Sequence, residues 1–173
     1  MLLFVDTEYA DLHARELVSL ALVSEDGRFE FYAERDPLPS SPTDFVRDVV
    51  YPLLDRGEQA LPDERFTREL CLFFQKVRSA SHRGQVRVAY DFEADIYLLD
   101  LVVDGFTPSH WSLPPLFDVF NLGRLDVDYD EAVGRVFAAN PDLAARRHHA
   151  LVDARVNRDA YLNIKSSMRA RLR

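Results

Sequence analysis

The sequence predicts an α/β fold, a mixed sheet of five strands flanked by helices. Three observations lead there. The first third of the chain holds three β-rich runs around one tight turn; the rest alternates short apolar runs with helical periodicity; and no linker, repeat or low-complexity stretch breaks that order. Strands followed by alternating strands and helices build a sheet that is partly antiparallel and partly parallel, with helices on its faces.

The elements follow in order. LLFV at 2–5 reads as a buried strand. ELVSLALVSEDGRFEFYAE at 16–34 reads as two strands around a turn at Glu25, Asp26 and Gly27, since Asp-Gly between β-rich runs is a strong hairpin signal. After a proline-rich loop at 36–42, Ser41-Pro42-Thr43-Asp44 looks like a helix start, with Ser41 as the cap and Pro42 at the first position. Phe45, Val46, Val49, Val50, Leu53 and Leu54 continue it at helical spacing. A second helix is expected from about Thr67 to Arg78, a strand over Gln85–Tyr90 and a helix after it carrying Ala94, Leu98, Leu99 and Val102. Pro114–Val119 reads as the fifth strand, Asp128–Ala139 as a helix stopped by Asn140-Pro141, and about Ala150 to Met168 as the last helix.

Composition narrows the class. A chain of 173 residues suits a single domain over 1–173 with a sizeable core, and 47% hydrophobic with 29% charged residues is the balance of a globular protein. No apolar run approaches the ~18 residues of a membrane span. MLLFVDTE has no basic leader region and meets charge too early for a signal peptide. A lone Cys71 excludes an internal disulfide and a cysteine-rich metal site. A cytoplasmic protein with no membrane partner is therefore expected. The net charge of −8 speaks against a passive nucleic-acid binder, which usually carries a basic excess. It speaks less against a nuclease that grips phosphate through metal ions.

Three acidic stretches carry the chemistry. In FVDTEYA, alternation along a strand puts Asp6 and Glu8 on one face, roughly 7 Å apart at Cα. Like charges so placed repel, and burying either is costly without a partner. A hard divalent cation with a taste for oxygen ligands would relieve this; a strand simply ending in solvent would also do so. In YDFEAD, Asp91 and Asp95 are four apart and share a helical face if the helix has begun by Asp91. In RRHHALVDAR, Asp153 sits among Ala150, Leu151 and Ala154 on an otherwise packed helix, with His148 five residues before it.

Together these stretches resemble the DEDDh 3′–5′ exonuclease family, which has the RNase H-like fold. Its D-x-E motif matches Asp6-Thr7-Glu8. Its N-x-x-x-D motif matches Asp91 to Asp95 with Asp in place of Asn, and its H-x-A-x-x-D motif matches His148 to Asp153. The order and separations agree over essentially the whole chain. The opening FVDTEYA…ELVSLALVSEDG looks like the mycobacterial-type RNase AS exoribonucleases. The spacing of the second motif selects Asp95, whereas matching an A-Y-D sequence to the RNase AS group selects Asp91; the continuation Asp-Ile-Tyr-Leu-Leu favours Asp95.

The resemblance implies a metal-dependent exonuclease that releases nucleoside 5′-monophosphates from the 3′ end of single-stranded RNA, or alternatively of DNA. It implies two divalent ions, Mg²⁺ or Mn²⁺, with Asp6, Glu8, Asp95 and Asp153 as the metal-site carboxylates. Asp95 would act through water, and His148 would be the general base. Thr7 and Tyr9 flank the first carboxylates, where a donor could meet the terminal sugar and an aromatic ring the base. Arg146 and Arg147 lie beside the third motif and could contact phosphates, whereas Arg155, two positions from Asp153 on a helix, is expected to point elsewhere. Relatives are often homodimers. A non-catalytic binding module that kept the fold would be expected to have lost metal carboxylates, and here none is missing.

Overall fold

The computed structural model describes residues 1–11, 16–106, 116–125 and 128–171. Its sheet contains strands β1 (Leu2–Tyr9), β2 (Leu17–Ser24), β3 (Glu30–Arg35), β4 (Ala60–Leu61), β5 (Arg87–Tyr90) and β6 (Asp118–Asn121), in the order β4-β3-β2-β1-β5-β6. β1–β2 and β2–β3 are antiparallel, while β1–β5, β5–β6 and β3–β4 are parallel. The helices are α1 (Asp63–Ala80), α2 (Glu93–Val103), α3 (Tyr129–Ala139), α4 (Pro141–Ala144) and α5 (Ala150–Arg171). This mixed, helix-flanked α/β sheet is compatible with the RNase H-like expectation. Among the described residues, no helix is long and apolar enough to cross a membrane.

The sheet buries both faces, and the sequence shows why. Every residue of β2, LVSLALVS, is buried, as a central strand covered on both sides must be. On β1, Leu3 and Val5 join Leu20 and Leu22 of β2 in a core closed by Phe66, Leu70, Phe74 and Val77 of α1 and Leu98, Leu99 and Val102 of α2. Phe4 points the other way, into a core with Val136 and Phe137 of α3 and Val152, Val156 and Ala160 of α5. Ala21 and Val23 meet Ala150 and Ala154 in a small-residue contact that seats the start of α5 directly on the sheet. Asp6 continues the face of Phe4 and lies opposite Ala21. The small residues thus bring the first turn of α5, which carries Asp153, to the acidic end of β1.

Several expectations change in detail. Among the described residues the sheet has six strands, not five: Ala60–Leu61 pairs in parallel with Glu34 and Arg35 at the edge, a stretch too short to show alternation in sequence. The strand expected over Pro114–Val119 is Asp118–Asn121, with residues 107–115 outside those described. Most of the PSHWSLPPLF loop falls there too. The helix expected from Ser41 is a brief irregular one, π-wound over Val46–Val50 and 3-10 over Tyr51–Leu53. Pro52 lacks the amide that a regular ladder needs at that point. The cap is Thr43 and not Ser41, its hydroxyl oxygen accepting from Val46 N at 3.3 Å. The Asp-Gly turn is as expected, with Gly27 at φ +70. Finally, α2 begins at Glu93, so Asp91 stands before the helix and does not share a helical face with Asp95.

Candidate active site

β1 is the strand that makes the site. Its parallel partner β5 pairs with Leu2, Leu3 and Phe4 only, while β1 runs on to Tyr9. Beyond that point the chain of β5 turns away into α2, at the carboxyl ends of two parallel strands, where α/β sheets commonly place ligands. The amide of Thr7 thereby loses a strand neighbour, and a carboxylate takes its place. Asp95, in the first turn of α2, accepts from Thr7 N at 3.0 Å and from Thr7 Oγ1 at 2.7 Å through a single oxygen, Oδ1. Asp95 is 4% exposed. A register shift between Glu8 and Tyr9 then ends the regular pairing with β2, a bulge of the kind that re-aims side chains beside active sites.

Asp153 approaches from above, in the first turn of α5, where a carboxylate is favoured by the helix dipole. Its Oδ2 accepts from the backbone N of His148 at 2.9 Å. A carboxylate oxygen of Glu8, an imidazole nitrogen of His148 and a carboxylate oxygen of Asp153 all lie within 4.8 Å of one another. His148 holds a left-handed backbone, φ +73, and meets the ring of Phe45 edge-on at 5.0 Å between centroids. Phe45 is itself half exposed. Non-glycine residues in that region are uncommon and gather at functional sites.

The electrostatics are one-sided. Burial, then Asp95, Asp153, Glu8 and Asp91, push the Asp6 carboxyl well above the usual range. Burial, Asp153 and Asp95 push Glu8 up to about 8. Burial raises Asp95 to about 7 against the lowering effect of the Thr7 hydroxyl. Asp153 rises to about 6 by burial, although the His148 amide works against it. His148 goes the other way: burial, then the charge of Arg147, lower its pKa and favour neutral imidazole.

Four carboxyls therefore crowd together, with the charge of Arg147 acting on Asp153. Two of their buried oxygens, Asp6 Oδ2 and Asp153 Oδ1, accept no hydrogen bond. Buried oxygens with no partner need an explanation, and an unmatched set of hard oxygen donors fits a divalent cation. On this test Glu8 and Asp153, whose oxygens lie within 4.8 Å of each other and of a His148 nitrogen, suit a metal centre, and Asp6 adds an unpartnered oxygen, while Asp95 spends its Oδ1 on Thr7. Asp91 stands before α2 and its Oδ1 accepts from Asn157 Nδ2 on α5 at 3.3 Å; the residue as a whole is exposed, yet its charge raises Asp6, Asp95 and Asp153. Tyr9 is half-buried beside the cluster, its hydroxyl pKa raised by burial and then by Asp95 and Glu8.

The arginines around the third motif divide, and Arg155 points away as its helical spacing predicts. Arg155 is committed to Glu30, with contacts of 3.0 and 2.6 Å, on the far side of α5. Arg146 pairs with Asp55 at 2.8 Å. Arg147 lies over the Phe137 ring at 5.2 Å and its charge reaches both Asp153 and His148. His149 is fully buried and stacks on Tyr32. Sequence reasoning gave no role to Phe45, Asn157 or Asp55. Asn157 was within reach, one helical turn beyond Asp153, whereas Phe45 and Asp55 arrive through tertiary packing alone.

Compared with known proteins, the chain matches no protein-family model and no curated sequence.

Proposed function

We propose that this protein is a metal-dependent 3′–5′ exoribonuclease, releasing nucleoside 5′-monophosphates from single-stranded RNA. The observation that carries the reading is the convergence of Asp6, Glu8, Asp95 and Asp153, with unpartnered buried oxygens on Asp6 and Asp153, beside a neutral-leaning His148. The motif order of the DEDDh resemblance gives this cluster its reaction class.

Asp6, Glu8 and Asp153 would hold one divalent cation, Mg²⁺ or Mn²⁺, and Asp6 with the scissile phosphate a second, with Asp95 acting through water. When bound, such cations neutralise the cluster and stabilise the charge on the attacking and leaving oxygens. The chain's own groups do the rest. His148 accepts the proton of the attacking water, and its lowered pKa keeps it in the form that can do so near neutral pH. Thr7 fixes the Asp95 carboxylate on β1 with two hydrogen bonds. Tyr9 lies beside Asp95 and Glu8 and the exposed ring of Phe45 against His148, and aromatic faces can stack on unpaired bases of any sequence.

The test is a matched pair of single-stranded RNA and DNA oligonucleotides of one sequence, with Mg²⁺, with Mn²⁺ and with chelator, followed by identification of the released nucleotide. Metal-dependent release of 5′-monophosphates from RNA is expected. Preferential attack on DNA keeps the site and changes the substrate to an exodeoxyribonuclease's. No release from either by folded protein overturns the enzyme reading.

A further inference from the structure

The loop that presents His148 is fastened from a direction the acidic cluster does not explain. Asp55 lies in the segment between the Tyr51–Leu53 turn and the Gly57–Gln59 turn. Its Oδ1 is 2.8 Å from Arg146 Nη2, and its Oδ2 is 3.4 Å from His149 Nε2. One carboxylate therefore reaches the residue two before His148 and the residue directly after it. Arg146 Nη2 also contacts Leu53 O at 3.5 Å, in the same segment.

Asp55 is in turn tied to the sheet. Its backbone N donates to Glu34 Oε1 at 2.7 Å, and the next amide, Arg56 N, donates to Glu34 Oε2 at 3.0 Å. Glu34 is fully buried on β3 and also accepts from the Tyr32 hydroxyl at 2.7 Å. Tyr32 completes the circuit, its ring stacked on His149 at 4.6 Å between centroids and 29° between planes. Neither ring nitrogen of the buried His149 makes a well-formed hydrogen bond among the described residues, so its place is set by the Tyr32 face and the nearby Asp55. Glu34 lies in register with Ser19, and Ser19 with Glu8, so this frame and the acidic cluster stand on the same sheet.

His148 needs such a frame. A left-handed histidine persists only where its surroundings over-determine it. The single bond from its amide to Asp153 and an edge contact with a half-exposed Phe45 fix one side of it. The geometry points to Asp55 as a positioning residue for His148: it pins Arg146 and His149 to β3 and so sets where the imidazole between them stands. This rests on the reading of His148 as the base, and Asp55 itself touches no reacting group.

The experiment compares wild type, Asp55→Ala, His148→Ala and the double variant in RNA degradation, with backbone ¹⁵N relaxation of residues 145–149 measured on the same proteins. Asp55→Ala is expected to loosen that loop and to lower kcat by about tenfold to a hundredfold with KM unchanged. In the His148→Ala background the same substitution is expected to change nothing further. Losses that multiply in the double variant, or a loop as ordered as in wild type, overturn the assignment. Asp55→Asn, which removes the charge and one acceptor oxygen while keeping the side-chain shape, is read in the same way if Asp55→Ala fails to fold. If wild type degrades no RNA, the proposed function fails, and the relaxation comparison alone decides whether Asp55 holds the loop.

Discussion

Asp95 Oδ1 accepts two hydrogen bonds from one residue, the amide of Thr7 at 3.0 Å and its hydroxyl at 2.7 Å. That relationship locks the start of α2 to the middle of the acidic strand. It also separates the two aspartates that the second motif leaves open. Asp95 is buried against β1, whereas Asp91 stands outside the helix and meets Asn157.

Asp95→Asn should therefore cost more activity than Asp91→Asn. A loss of about 10–100-fold in kcat/KM is expected for Asp95→Asn, the scale for a residue that supports a metal site from just outside it. Steady-state degradation kinetics on the two variants check this. A larger loss for Asp91→Asn would transfer the second-motif role to Asp91.

Thr7→Val keeps the shape of the side chain and the amide bond but removes the hydroxyl. It should destabilise the protein by about 1.5–3 kcal/mol, the range for a hydrogen bond to a charged group, while Thr7→Ser should recover most of this. Chemical denaturation above about pH 8, where Asp95 is ionised, measures both. Without the hydroxyl that lowers it, the Asp95 carboxyl should also titrate higher than about 7.

The metal-free protein should lose stability as pH rises. Asp153, Asp95 and Glu8 titrate at about 6, 7 and 8 in the folded protein, against ordinary values of 3.8, 3.8 and 4.5. Between those limits the folded chain holds protons that the unfolded chain has released. The stabilisation is complete below the ordinary values and disappears as pH climbs through the folded ones. Melting temperature in chelator should thus fall from about pH 5 to about pH 8, and Mg²⁺ should oppose the fall by binding the ionised cluster. A melting temperature that rises across this window in chelator would contradict the electrostatic description.

His148→Ala should slow the reaction by about 10²–10⁴-fold, the usual contribution of a general base, with divalent-cation affinity kept. Calorimetric Mn²⁺ titration of the variant separates the roles. Lost binding would make His148 a ligand, which its place within 4.8 Å of Glu8 and Asp153 oxygens allows geometrically.

Much of the fold was legible because its signals are local. The alternation in LLFVDTE, the Asp-Gly turn and the apolar spacing of Leu70, Phe73, Phe74 and Val77 each act within one element. The edge strand Ala60–Leu61 was not, since two residues carry no period and the pairing partner decides. The helix expected over 42–54 misled because its apolar spacing is real while Pro52 breaks the ladder. For the site, carboxylates on strand and helix termini could be placed from sequence. The frame of Glu34, Asp55 and Tyr32 could not, because the contacts that join it to Asp55 and to His149 reach across distant stretches of chain. Arg155 was legible from local spacing: its offset from Asp153 on a helix turns it away from the cluster, and it meets Glu30.

The decisive measurement is a time course on 5′-end-labelled single-stranded RNA with wild type and Asp6→Ala, each in Mg²⁺ and in chelator. The expected result is a ladder that shortens one nucleotide at a time from the 3′ end, seen only with wild type in Mg²⁺, from two proteins that are equally folded. Shortening that survives in Asp6→Ala or in chelator would contradict the acidic cluster as the seat of a metal-dependent exonuclease.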